Sequence, residues 1–174
     1  MDGGRERVNW FLFWLLPHVA AAIIAFGPVF VFPIIGSLVP KHPQALHFAV
    51  ELQHKMETGL IIPVALTMLV SGTGLIITAN VNVLATTYLL VAIFLYLIAL
   101  SIALLNQVPA TSKLIELSAG GPPPGAPPGP PPQEVMALIN RQKYGGMVLT
   151  VLLLIIIFLM VIKPGGIHTG PIFG

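Results

Sequence analysis

Residues 58–105 read TGLIIPVALTMLVSGTGLIITANVNVLATTYLLVAIFLYLIALSIALL, a run without a single Asp, Glu, Lys or Arg. A spanning helix needs about 20 apolar residues to cross ~30 Å of hydrocarbon, so the run is too long for one span. Asn80-Val-Asn82 divides it. Two asparagines are costly in lipid and suit a tight turn at the surface. This predicts spans at Thr58–Thr78 and Val83–Leu105. Working outward, the charge-free block Val8–Pro40 holds one span, roughly Trp10 to Phe32. The block Tyr144–Ile162 holds a shorter one from about Gly146, stopped by Lys163-Pro164-Gly165-Gly166. The expected fold is an all-α membrane protein, an antiparallel bundle of four transmembrane helices forming one domain over residues 1–174.

Composition points the same way. Of 174 residues, 8% are charged and 56% hydrophobic, with a mean hydropathy of +0.93. A soluble domain carries roughly 25% charged residues to cover its outside. The net charge of +2 is scattered in short patches, so no basic stripe suits nucleic acid. With no Cys there is no disulfide, thiolate metal site or iron–sulfur cluster. Arg5 and Arg7 precede the first apolar run as they would in a signal peptide. That run continues past Ala20–Ala22 with no polar segment, so a retained helix is expected. Lys41, Lys55, Lys113, Arg141 and Lys143 fall on one side of the predicted bundle, and Arg5, Arg7 and Lys163 on the other. Five against three predicts cytoplasmic larger loops and both termini outside.

The connections differ in character. Lys41 to Glu57 carries much of the charge, and within it His47, Glu51, His54 and Thr58 follow at spacings of 4, 3 and 4. That spacing lines one face of a helix running into the second span. Two His and a carboxylate make His47, Glu51 and His54 candidate metal ligands, against the plainer reading of a solvated face. Glu51 and Lys55 are spaced for an i,i+4 ion pair. Residues 120–132, a Gly/Pro run, read as a polyproline-II linker. Pro17, Pro28, Pro33 and Pro63 each remove a helical hydrogen bond, with a kink expected near Gly59 and Pro63. Ala21, Ala25 and Ser71-Gly72-Thr73-Gly74 offer small faces for close helix packing.

His18 is the sole ionisable side chain well inside a predicted span. It reads as a haem axial ligand or proton-relay member, or as a neutral imidazole bonded to a carbonyl freed by Pro17. With a turn near residue 41, His18 stands level with Val64 and with Tyr96, its candidate hydrogen-bond partner. His54 then stands level with Pro28, ~15 Å from His18, too far for both to clamp one haem.

Several pieces look familiar in order: His18, Phe26-Gly27, Phe30-Val31-Phe32-Pro33, Met56-Glu57-Thr58-Gly59-Leu60-Ile61-Ile62-Pro63, Ser71-Gly72, and Leu159-Met160-Val161-Ile162-Lys163-Pro164. This resembles the four-helix membrane superfamily that includes the copper-resistance D proteins and HemJ-type protoporphyrinogen oxidases. Within it the chain is most similar to a branch of predicted integral membrane proteins of unknown function. The resemblance implies a bacterial inner-membrane location and a match of His18 to the candidate haem ligand of those oxidases. It also matches Glu57 and Pro63 to the start of their second span. Their third-span Lys and His have no counterpart, since Thr86-Thr87 and Tyr96-Leu97 occupy those regions. Porphyrinogen oxidation is therefore not expected, and neither is copper transport, since the spans contain no Cys and only scattered Met68, Met147 and Met160.

The leading functional expectation is a membrane protein handling b-type haem or porphyrin through His18. The alternative is a non-catalytic accessory subunit without cofactor, associating with other membrane subunits or with copies of itself. An ion-coupled transporter is disfavoured for want of ionisable groups within the spans.

Overall fold

The computed structural model describes residues 9–120 and 132–167. Arg5, Arg7, His168 and the Pro-rich stretch 121–131 lie outside them. Four helices are long and apolar enough to cross a membrane: Trp10–Leu38, Leu46–Thr78, Thr87–Ser118 and Gln133–Ile162. Among the described residues no strand occurs, and the fold is all-α.

Each boundary has a local cause. Asn9 caps the first helix, its Oδ1 accepting from the Leu12 N–H at 3.3 Å. The second helix ends on Asn80, which takes the left-handed conformation at φ 49°. Its N–H reaches Ile77 O and the Val81 N–H reaches Ile76 O, the paired bonds of a Schellman end. Asn82 Oδ1 then accepts from the Ala85 N–H, so both asparagines build the turn. The fourth helix stops before Lys163, also left-handed at φ 50°.

The helices outrun the predicted spans. The first continues through Pro33 to Leu38, the second begins at Leu46 rather than Thr58, and the third runs from Thr87 to Ser118. The fourth begins at Gln133 rather than Gly146. The charged stretches are good helix formers, so charge ends the hydrocarbon-compatible part without ending the helix. At 33 residues the second helix is ~50 Å long, well beyond ~30 Å of hydrocarbon. Its first turns, the last turns of the third helix and the first turns of the fourth form a common polar end. Lys55 and Glu51 pair there at 2.9 Å, both well exposed, so the pair adds little to stability.

Two turns depart from α-geometry. Glu57–Ile61 and Ala103–Gln107 are π-helical, with the Ile62 N–H bonded to Glu57 O and the Val108 N–H to Ala103 O. Pro63 and Pro109 follow immediately. A proline ring clashes with the carbonyl four residues back, here Gly59 and Leu105, and widening the turn moves that carbonyl aside. The kink expected near Pro63 is such a widened turn, and Pro109 repeats the device in the third helix.

The first and second helices pack most closely, as do the third and fourth. Along the first seam, residue numbers fall on one helix as they rise on the other. Trp14 lies on Gly74, His18 on Gly72, and Ala21 and Ala25 against Met68. The Trp14, His18, Ala21 and Ala25 spacing of 4, 3 and 4 is one helix face. Leu16, Ile23, Val70, Leu105 and Val161 point outward and face lipid.

Candidate functional site

His18 sits half-buried on the seam between the first two helices. Its Nδ1 is 3.0 Å from Ser71 Oγ, and Ser71 Oγ donates to Thr67 O at 2.8 Å. A hydroxyl carries one proton, so with that proton on Thr67 O the imidazole donates from Nδ1. Nε2 is then the unprotonated nitrogen, and the Met68 backbone is a further hydrogen-bond partner of the ring. Gly72 lies under the ring: a Cβ there would stand 3.2 Å from His18 Cε1. The carbonyl freed by Pro17 is not what His18 bonds.

Tyr96 is engaged elsewhere. Its hydroxyl donates to Ala65 O at 2.6 Å, and its ring packs on the Ala21, Ala25 and Met68 cluster. The reason is register. The midpoint of His18 and Ser71 falls between residues 44 and 45, not at 41, because two 3-10 turns, Val39–Lys41 and Pro43–Ala45, extend the connection. His18 therefore lies about two turns from the expected Val64 level. By the same register His54 lies level with Ile35, ~25 Å from His18 along the helix, which moves the two further apart than expected.

His47, Glu51 and His54 line one open groove of about 460 Å³ with Lys55, Ser112, Ile115 and Glu116. They share a face, as their spacing predicts, but each is occupied differently. His47 Nδ1 is 3.0 Å from Ser118 Oγ on the third helix, and Glu51 holds Lys55. His54 Nδ1 is buried without a hydrogen-bond partner. Among the described residues no three His, Cys, Asp or Glu side chains are grouped to hold a metal ion.

A second polar centre joins the ends of the two π-turns through Thr111 and the fourth helix, and sequence reasoning passed over it. Glu57 is 7% exposed, Gln107 5% and Thr111 fully buried. Gln53 Nε2 donates to Glu57 Oε1 at 2.8 Å and to Gln142 Oε1 at 3.2 Å. Thr111 Oγ1 lies 3.0 Å from Glu57 Oε2 and 2.9 Å from Gln107 O. From the fourth helix, Gln142 Nε2 donates to Thr111 Oγ1 and, at 2.9 Å, to Gln107 O. Gln107 Nε2 returns a bond to Gln142 O at 3.3 Å. Arg141 Nε bonds Asn106 Oδ1 at the edge of the cluster. Three helices are thus joined through one carboxylate, one hydroxyl and three amides. The legible signal was two i,i+4 polar pairs, Gln53/Glu57 and Gln107/Thr111, each a few residues before or astride an X-Pro step.

Close approach of the fourth helix depends on Gly145. A Cβ there would stand 2.6 Å from Gln107 Oε1 and 2.8 Å from Asn106 Nδ2. Gly145→Ala is expected to cost about 1–3 kcal/mol by overpacking, against the few tenths that an alanine ordinarily gains in a helix. Chemical unfolding in detergent measures it; an unchanged or raised stability would show that the amides shift freely.

No curated protein and no solved structure matches the chain. Residues 12–164 match the family model described as "Predicted integral membrane protein (DUF2269)". That segment covers all four helices but for a few terminal residues of the first. The chain is a member of this DUF2269 family of integral membrane proteins.

Proposed function

We propose that the protein holds a b-type haem or porphyrin in the cell membrane through His18. The observation that carries this reading is the Ser71 contact: with the hydroxyl proton on Thr67 O, the imidazole proton stands on Nδ1 and Nε2 is the atom that would ligate. Imidazoles that ligate metal have their other N–H held in this way. Gly72 gives the ring its seat, and Trp14 over Gly74 fixes the helix pair that carries it. When bound, the haem supplies one-electron chemistry, which these side chains do not. The resemblance to HemJ-type proteins supports the same position, and with it a bacterial inner-membrane location. The missing third-span Lys and His turn the proposal towards electron transfer or porphyrin holding and away from porphyrinogen oxidation.

The test is the absorption spectrum of the purified protein before and after dithionite. A Soret band that shifts on reduction, and is lost in His18→Ala, is the expected result. A full band in His18→Ala overturns it.

One observation favours a second reading, an accessory subunit without cofactor. The Trp14/Gly74, His18/Gly72 and Ala21–Ala25/Met68 contacts are the close packing that holds membrane helices together without any ligand. A colourless protein from haem-replete cells, with His18→Ala lowering stability alone, selects that reading. Under either, the polar end with Lys41, Lys55, Lys113, Arg141 and Lys143 faces the cytoplasm by the positive-inside rule.

A further inference from the structure

We propose that Glu57, Thr111 and the Gln107 carbonyl form a proton-binding site at the rim of the membrane, filled and emptied as one hydroxyl turns. The proposal is independent of His18 and of any cofactor there.

Glu57 is buried among three helices, and both its oxygens meet neutral donors, Gln53 Nε2 and Thr111 Oγ1. The ion pairs among the described residues are Lys55–Glu51 and Lys113–Glu116, both exposed, and neither includes it. A carboxylate held out of water without a cation is strongly unfavourable, so binding a proton relieves the site. Such a site works only if the neutral form is also fully hydrogen-bonded, because a carboxylic acid must donate as well as accept.

Thr111 meets that requirement. Its hydroxyl has one proton and stands within reach of two acceptors, Glu57 Oε2 at 3.0 Å and Gln107 O at 2.9 Å. Gln142 Nε2 donates to the same oxygen in either state. With Glu57 ionised, the hydroxyl donates to Oε2. When a proton from solvent forms an O–H bond on Oε2, that O–H donates to Thr111 Oγ1 and the hydroxyl turns to Gln107 O. No electrons move, and the site gains one positive charge. Thr111 Oγ1 then accepts twice and donates once, its full capacity. Both states are complete, and the same protein atoms serve each.

The surroundings add little competing charge. On its own helix His54 lies one turn before Glu57 and is felt by it electrostatically. On the third helix Lys113 and Glu116 pair with each other. On the fourth, Arg141 turns to Asn106 and Lys143 is exposed. The first helix packs on the Glu57–Ile61 turn and has no ionisable side chain from Val19 to Pro40. The open groove that includes His54 brings solvent within one turn of the carboxylate.

The test is infrared difference spectroscopy of the full chain in lipid vesicles across a pH titration. A carboxylic-acid carbonyl band is expected to grow as pH falls, at the frequency of a hydrogen-bonded acid, and to be absent from Glu57→Gln. Glutamine resembles the neutral acid in shape, so that variant is expected to fold. Thr111→Ser keeps the hydroxyl and should keep the band, as should Ser112→Ala, whose hydroxyl bonds Val108 O. A Glu57→Gln titration identical to the parent overturns the site. A band at the free-acid frequency overturns the part given to Thr111. Loss of the band on adding NaCl, but not choline chloride, at constant pH overturns the proton as ligand and assigns the site to Na⁺.

Discussion

Thr111→Val is expected to lower the unfolding free energy by about 2–5 kcal/mol. Valine matches threonine in shape, so no cavity opens and the whole effect falls on hydrogen bonds. Glu57 Oε2 loses its donor and Gln142 Nε2 loses one acceptor, both inside a cluster where Thr111 itself is fully buried. A buried polar group left without a partner costs about 1–3 kcal/mol, and more when charged. Thr111→Ser, which keeps the oxygen, should lose less than half as much. Ser112→Ala, one residue along, should be near neutral, since that hydroxyl only bonds back to Val108 O. Reversible unfolding in mixed micelles measures all three. A loss below about 1 kcal/mol for Thr111→Val would mean that water or a rotated amide replaces the hydroxyl.

The second large effect belongs to Gly74. A Cβ built there lies within the Trp14 indole, closer than atoms can approach, so any side chain forces the ring or the helix to move. Overpacking of this kind costs about 1–3 kcal/mol. In lipid the seam has no hydrophobic drive to restore it, because hydrocarbon solvates the separated faces as well as the partner helix does. Gly74→Val is therefore expected to lower the melting temperature by roughly 3–10 °C for a chain of this size. Trp14→Ala should recover much of that loss when combined with Gly74→Val, a coupling that a double-mutant cycle reads directly. Gly27→Ala is the control: nothing lies within 4 Å of a Cβ there. If Gly74→Val were as mild as Gly27→Ala, the indole would have another place to go.

The bundle was legible because it depends on long-range composition. The Asn80-Val-Asn82 division and the Lys163 stop each correspond to a helix boundary or turn in the structure, while the ends of the charge-free block fall inside helices. The true helix lengths were not legible, because hydropathy marks where lipid ends and not where backbone hydrogen bonding ends. The seam of Ala21, Ala25 and Gly72–Gly74 was read from small residues alone, but its register was not. Two short 3-10 turns near residue 41 shift the pairing by about two helical turns, and that moved Tyr96 from His18 to Ala65. Glu57 was placed at the edge of a span as one more charge in a polar stretch. Its burial arises from Gln107, Thr111 and Gln142, residues distant in sequence, and the i,i+4 polar pairs mark polar turns without telling which helices they join.

The paired π-turns carry a consequence for how this chain tolerates insertion and deletion. A π-turn is an α-helix that has taken in one surplus residue, so removing one position from 103–107 would restore a regular turn and with it the clash of the Pro109 ring on the carbonyl four residues back, a cost of about 3 kcal/mol. The widened turn absorbs the surplus residue within itself, so the side chains beyond the deletion would keep their angular phase and Thr111 would still face Glu57. The same holds for 57–61 and the Ser71–Gly74 seat of His18 beyond it. Each surplus residue is thus confined to its own turn, where it makes room for the proline that follows. Homologous chains one residue shorter in either turn are expected to keep the helices and both centres but to lack the proline that follows the turn.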